Sequence, residues 1–250
     1  LIHLLRRNFF LRYMDVRSLT KGGGGSLTAR DLTIYCRINP FVSCIGGHAV
    51  RPCSNLHEVV PEISYITLLR DPVERYLSQY RYWVEKLNKE ITFDRFLDHR
   101  PAWNFQVSKI AGTGKLEYAK KLLDDRFLMV GTVERFDEFL VLLKGRLRPF
   151  DFDSTYRKKN IAKSEGMWAG ELLDKYGMQI MERNELDSEL YRYVTDVMLP
   201  MEIDAYGDEF AADVKHQRQA NRISAAAEAK SHTDYVFRKI YCQPITGLVR

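Results

Sequence analysis

The sequence predicts an α/β protein in which a parallel sheet is flanked by helices and followed by a largely helical C-terminal part. Three observations carry this. The run Ile63-Ser64-Tyr65-Ile66-Thr67-Leu68-Leu69 is short, β-branched and mostly apolar, as a strand buried in a parallel sheet must be, and it ends at once in Arg70-Asp71-Pro72 and a segment of helical period. Arg126-Phe127-Leu128-Met129-Val130-Gly131 repeats the arrangement ahead of an amphipathic Phe136–Leu147 segment. Beyond Phe150 the apolar pattern is mostly helical.

In chain order, Leu1, Ile2, Leu4, Leu5, Phe9 and Leu11 among His3, Arg6, Arg7 and Arg12 predict an amphipathic helix without an N-cap of its own. Gly22 to Gly25 form a flexible loop, and a phosphate-cradling glycine loop is excluded because Lys21 stands on its wrong side. A helical turn is expected over Thr28–Leu32, an extended piece over Ile34–Ile38, and a turn at Gly46-Gly47-His48. After the strand, Asp71 suits an N-cap and Pro72 the first helical position, with Val73, Tyr76, Leu77, Tyr80, Val84 and Leu87 on the core side. Later helices are expected around Ala169–Ile180 and Leu186–Leu199, after a basic loop at Arg157-Lys158-Lys159-Asn160.

The chain has 250 residues, enough for one substantial core, and its apolar (45%) and charged (28%) fractions are those of an ordinary soluble domain. No run approaches the roughly 20 apolar residues of a membrane span. A net charge of +5, spread along the chain, accommodates an anionic ligand and gives nucleic-acid binding little support. Cys36, Cys44, Cys53 and Cys242 lack the spacing of a zinc or redox site. Cys44 and Cys53 could pair in an oxidising compartment, but buried free thiols are the preferred reading.

The chemistry concentrates where the first strand meets its helix. A strand ending at a helix N-terminus presents backbone N–H groups and the positive end of the dipole to an anion. Arg70 stands there with a fork suited to phosphate, and Asp71, Arg75 and Ser78 share one stripe of the helix. From spacing alone, Arg70 paired with a nearby carboxylate and Ser78 as a small packing residue serve equally well.

The segment Tyr65-Ile66-Thr67-Leu68-Leu69-Arg70-Asp71-Pro72-Val73-Glu74-Arg75-Tyr76-Leu77-Ser78-Gln79-Tyr80 closely resembles the 3′-phosphate-binding strand–helix of sulfotransferases that use 3′-phosphoadenosine 5′-phosphosulfate (PAPS), nearest to the heparan sulfate O-sulfotransferase group. The resemblance implies a P-loop-NTPase-like sheet and places the nucleotide 3′-phosphate on Arg70 and Ser78. Weaker family marks are Asn104-Phe105-Gln106 with Ile110-Ala111-Gly112, Ala119-Lys120…Leu123 before Val130-Gly131, and Asn184…Asp187…Leu190-Tyr191. Asn104 and Gln106 are nucleotide ligands on one reading and structural amides on the other. Arg157, Lys158 and Lys159 resemble the late basic loop that closes over the nucleotide, or else form a solvated charge run. The likeness covers most of the first two hundred residues, so a sulfotransferase domain is expected over 1–204 and a peripheral helical extension over 205–250.

The family's Lys-Thr-Gly-Gly-Thr-like phosphosulfate loop does not occur here, and Leu1–Phe10 resembles the helix that follows it, so that loop is expected before residue 1. Cys44-Ile45-Gly46-Gly47-His48-Ala49-Val50 resembles the family's Gly-His segment, which implies His48 as the general base. The expected reaction moves a sulfuryl group from PAPS to a hydroxyl of a carbohydrate-like acceptor, with no metal required in principle. A catalytically degenerate module binding glycans or a protein partner, and a nucleotide-dependent phosphotransferase, are the alternatives. The last needs a Lys-Ser/Thr loop and an acidic magnesium ligand, and neither is evident. The compartment is left open between the cytoplasm and the Golgi lumen.

Overall fold

The computed structural model describes residues 1–19, 25–156 and 167–224. In chain order they form α1 (Ile2–Phe9), β1 (Tyr13–Asp15), α2 (Ala29–Ile38), β2 (Cys44–Gly46), β3 (Tyr65–Leu69), α3 (Pro72–Arg81), α4 (Phe93–Leu97), α5 (Phe105–Ala111), α6 (Leu116–Arg126), β4 (Phe127–Thr132), α7 (Phe136–Arg146), α8 (Met167–Arg183), α9 (Glu185–Tyr193), α10 (Leu199–Tyr206) and α11 (Phe210–Ser224). The class is α/β with small parallel sheets. In place of one continuous parallel sheet, the described residues contain two pairs, β1–β2 and β3–β4. The chain divides into two compact units, which among the described residues comprise 1–65, 140–156 and 208–224, and 66–139 and 167–207.

The first unit is built on β1 and β2, parallel with Tyr13 opposite Cys44, Met14 opposite Ile45 and Asp15 opposite Gly46. Both Tyr13 and Met14 are buried, so β1 has no solvent face. The Arg6 guanidinium donates to both Asp15 carboxylate oxygens, at 2.6 and 2.8 Å, and the Tyr13 hydroxyl donates to one of them. Burial, with the Asp15 carboxylate beside it, pushes the Tyr13 hydroxyl far above its ordinary range. Met14, Val16, Leu27, Leu32, Tyr35, Ala49 and Leu56 form the core beneath. Arg7 binds α1 to the carbonyls of Asp153 and Thr155, both at 2.7 Å. The 205–250 stretch, expected at the periphery, supplies α11, on which Val214 and Gln217 are buried and the Gln217 amide joins the Ser154 hydroxyl and carbonyl.

The extended piece expected over Ile34–Ile38 is instead the second half of α2. Thr28 and Asp31 form a capping box: the Thr28 hydroxyl accepts from the Asp31 amide and the Asp31 carboxylate from the Thr28 amide. With the first turn nucleated, Leu32 and Tyr35 fall on one buried face, and this periodic burial overrides the strand preference of Ile34 and Tyr35.

The second unit hangs on β3 and β4. One of its cores is aromatic: Tyr76 and Tyr80 of α3 pack on Phe93 and Phe96 of α4 with ring centroids 4.8–6.3 Å apart, and Tyr176 and Ile180 of α8 belong to the same cluster. Gly131 of β4 is required by closeness, because a Cβ there would overlap Phe139 of α7. The buried run from Met129 to Thr132 explains why this strand reads as continuously apolar.

Gly46 and Gly47 end β2 for a steric reason. A Cβ on Gly46 would strike the Tyr13 hydroxyl, and one on Gly47 the Val16 carbonyl, whose residue is fixed by its own amide bond to the Gly46 carbonyl at 2.9 Å. Gly47→Ala is expected to overpack this joint by about 1–3 kcal/mol. Gly114→Ala, whose Cβ would meet nothing within 4 Å, serves as the control. Thermal unfolding followed by circular dichroism compares them, and equal midpoints would show that β1 and β2 do not depend on this close approach.

Candidate functional site

The end of β3 is held on every side by groups from distant parts of the second unit. The Val133 amide, one residue past β4, donates to the Leu69 carbonyl at 2.8 Å. At the next residue the Gln106 side-chain amide acts as a peptide mimic: its oxygen accepts from the Arg70 amide and its nitrogen donates to the Arg70 carbonyl, both at 2.9 Å. At the next again, one Glu134 oxygen accepts from the Asp71 amide at 3.1 Å. The other Glu134 oxygen accepts from the Tyr191 hydroxyl at 3.0 Å. Burial and the adjoining Glu134 carboxylate push that hydroxyl up to about 12.

Asp71 then starts α3. One of its carboxylate oxygens accepts from the amides of Val73, at 3.0 Å, and Glu74, at 2.9 Å, while Pro72 has no N–H to offer. The backbone donors that the sequence offers to an anion at this helix start are therefore taken by the cap. Side chains remain. The Arg70 guanidinium, 31% exposed, makes a long 3.4 Å contact with Glu74, and Ser78 lies half-buried two turns along α3.

Arg75, on the same stripe by periodicity, turns inward. It donates to Gln79 Oε1 and the Ala102 carbonyl, both at 2.7 Å, and to Asn184 Oδ1 at 3.0 Å, with its plane near the rings of Tyr76 and Phe105. Burial lowers its pKa, and the Asp187 charge works against that shift. The family-like marks meet here. The Asp187 carboxylate accepts from the amides of Gln106, at 3.0 Å, and Val107, at 2.8 Å, so it caps α5 from outside. Asn104, in the left-handed region at φ 42°, returns the bond by accepting from the Asp187 amide at 3.2 Å. Burial raises the Asp187 carboxyl, and the two backbone N–H groups and Arg75 hold it partly down.

Of the residues singled out by sequence, Arg70, Ser78, Asn104 and Gln106 fall in the second unit, with Asn104 and Gln106 in the network that supports Arg70. His48 lies in the first unit, exposed, in the turn where the Val50 amide reaches the Gly47 carbonyl at 3.3 Å. Arg157, Lys158 and Lys159 lie outside the described residues. Sequence reasoning missed Glu134. Its signal is position: Val133-Glu134 follows β4 as Arg70-Asp71 follows β3, and the carboxyl ends of adjacent parallel strands lie side by side.

Together these features are a partly exposed guanidinium on a backbone held by side chains, with the Ser78 hydroxyl two turns further along α3. Cys36, Cys44 and Cys53 are free thiols, and burial pushes Cys44 up to about 12. Among the described residues there is no cluster of three metal-ligating side chains, and no helix is long and apolar enough to cross a membrane. No protein-family model matches the chain, and no curated protein matches it.

Gln106→Leu keeps the volume and removes both bonds to the Arg70 backbone. Leaving that N–H and C=O unpaired is expected to cost roughly 1–3 kcal/mol for each group that stays buried. Urea denaturation and hydrogen exchange at the Arg70 amide measure it, and an unchanged midpoint with unchanged exchange would remove Gln106 as the clamp.

Proposed function

We propose that the chain is a PAPS-dependent O-sulfotransferase domain of P-loop-NTPase-like type, acting on a hydroxyl of a carbohydrate-like acceptor. The observation that carries the reading is the mounting of Arg70. Its residue and both neighbours have their backbone groups bonded to Val133, Gln106 and Glu134, while its guanidinium has, among the described residues, one long contact. The fixed backbone holds the base of that side chain at the strand mouth, so an arriving anion has only the side chain's own rotamers to order. With the Tyr65–Tyr80 motif, this supports Arg70 and Ser78 as the partners of the nucleotide 3′-phosphate. Arg157, Lys158 and Lys159 remain candidates for its outer side.

In the proposed reaction the acceptor oxygen bonds to sulfur as the bond from sulfur to the 5′-phosphate oxygen breaks, giving a sulfate ester and 3′-phosphoadenosine 5′-phosphate (PAP). His48 takes the acceptor hydroxyl proton. Its exposure and its place after two glycines leave it accessible to a substrate.

Calorimetry with PAP tests the nucleotide site without relying on turnover. Arg70→Ala is expected to weaken PAP by roughly ten- to a hundredfold, the loss of one charged hydrogen-bond partner. Ser78→Ala, removing a neutral donor, is expected to weaken it by about two- to tenfold. Equal PAP affinities for wild type and Arg70→Ala would sink the placement.

His48→Ala is expected to lower kcat by about 10²–10⁴-fold with PAP affinity unchanged. The variant retaining more than about a third of wild-type kcat, with sulfuryl transfer rate-limiting, would take His48 out of the mechanism.

A further inference from the structure

Three carboxylates surround the Arg70 position, and two of them are committed. Asp71 holds the amides of Val73 and Glu74, and Glu134 bridges the Asp71 amide and the Tyr191 hydroxyl. Glu74 differs. Its side chain is 58% exposed, and its carboxylate has Arg70 as its one partner among the described residues, at 3.4 Å.

We propose that Glu74 is a displaceable internal counter-ion of Arg70, which occupies the guanidinium in the empty protein and is exchanged for the 3′-phosphate when nucleotide binds. This rests on the proposed nucleotide site and adds to it the residue that sets its affinity. An exposed pair four residues apart is weak, so the carboxylate yields readily to a phosphate monoester, which carries nearly two charges at neutral pH. Once displaced, Glu74 does not become a burden to the fold. It sits in the first turn of α3, where a negative side chain interacts favourably with the helix dipole and solvent remains at hand. The same residue thus favours the helix and limits the ligand, through competition for Arg70 and through repulsion of the incoming phosphate.

The experiment is calorimetry on the full chain with PAP and with AMP, which lacks the 3′-phosphate, for wild type, Glu74→Gln, Arg70→Ala and the double variant. Glu74→Gln is expected to tighten PAP by about three- to tenfold at low salt, less at high salt, and to leave AMP unchanged. In the Arg70→Ala background its effect is expected to shrink to the repulsive part alone. Glu74→Ala repeats the test without an amide, and circular dichroism verifies the fold of each variant. If Arg70→Ala weakens PAP while neither Glu74 variant tightens it, the counter-ion role is overturned and the nucleotide site stands. If Arg70→Ala leaves PAP binding unchanged, the nucleotide site falls and the counter-ion role with it. Equal tightening of PAP and AMP would also overturn the proposal, because the effect would then not pass through the 3′-phosphate.

Discussion

The second unit depends on one long-range relay of hydrogen bonds. Asp187 of α9 caps α5 through the Gln106 and Val107 amides, which fixes the direction of α5, and the fixed α5 carries the Gln106 side chain to the end of β3. Neither step is local: Asp187 lies 81 residues from Gln106, and Gln106 lies 36 from Arg70. Placing a carboxylate in this interior is unfavourable by desolvation, as its raised pKa records, and two backbone donors with a nearby buried arginine compensate. Removing any one partner would strand another, so the relay specifies one arrangement.

The first unit meets the same difficulty with a different side chain. Just past β1, the Tyr35 hydroxyl accepts from the Arg17 amide at 3.2 Å and donates to the Arg17 carbonyl at 3.1 Å, as Gln106 does for Arg70. The cause is common to both. A two-stranded sheet leaves the backbone beyond each strand end without a further strand to bond, and buried peptide groups need partners. Small sheets therefore call for bifunctional side chains at their ends, and an amide or a hydroxyl can both donate and accept there without carrying a charge.

What was legible in the sequence follows from how local each feature is. Asp71 as cap, Pro72 at the first helical position and the two strand-to-helix units were readable because their physics acts over a few residues. The Thr28–Asp31 box was equally local, and overlooking it turned the second half of α2 into an extended piece. The partners of Arg70 were not readable, since nothing within a few residues of Gln106 or Glu134 names the peptide groups they bind. Asn104, Asn184 and Asp187 could be singled out one by one in the sequence, but not as members of a single network.

Arg70 and Arg75 show why residue type and stripe do not fix the surroundings of a side chain. Both are arginines within one motif, yet Arg75 is enclosed by two amides, a carbonyl and two aromatic rings, and Arg70 retains exposure and, among the described residues, a single long contact. The difference comes from the chain that packs over α3. Ala102 and Asn184 close on Arg75, whereas Arg70 stands before the helix begins, at the mouth of the strand pair. A guanidinium enclosed by acceptors and rings organises the interior, although its Nε finds no hydrogen-bond partner among the described residues, while one at a strand mouth keeps part of its surface in solvent. The supporting network and the exposed fork are thus two parts of one arrangement, in which the interior residues fix the backbone of Arg70 and leave its guanidinium partly exposed.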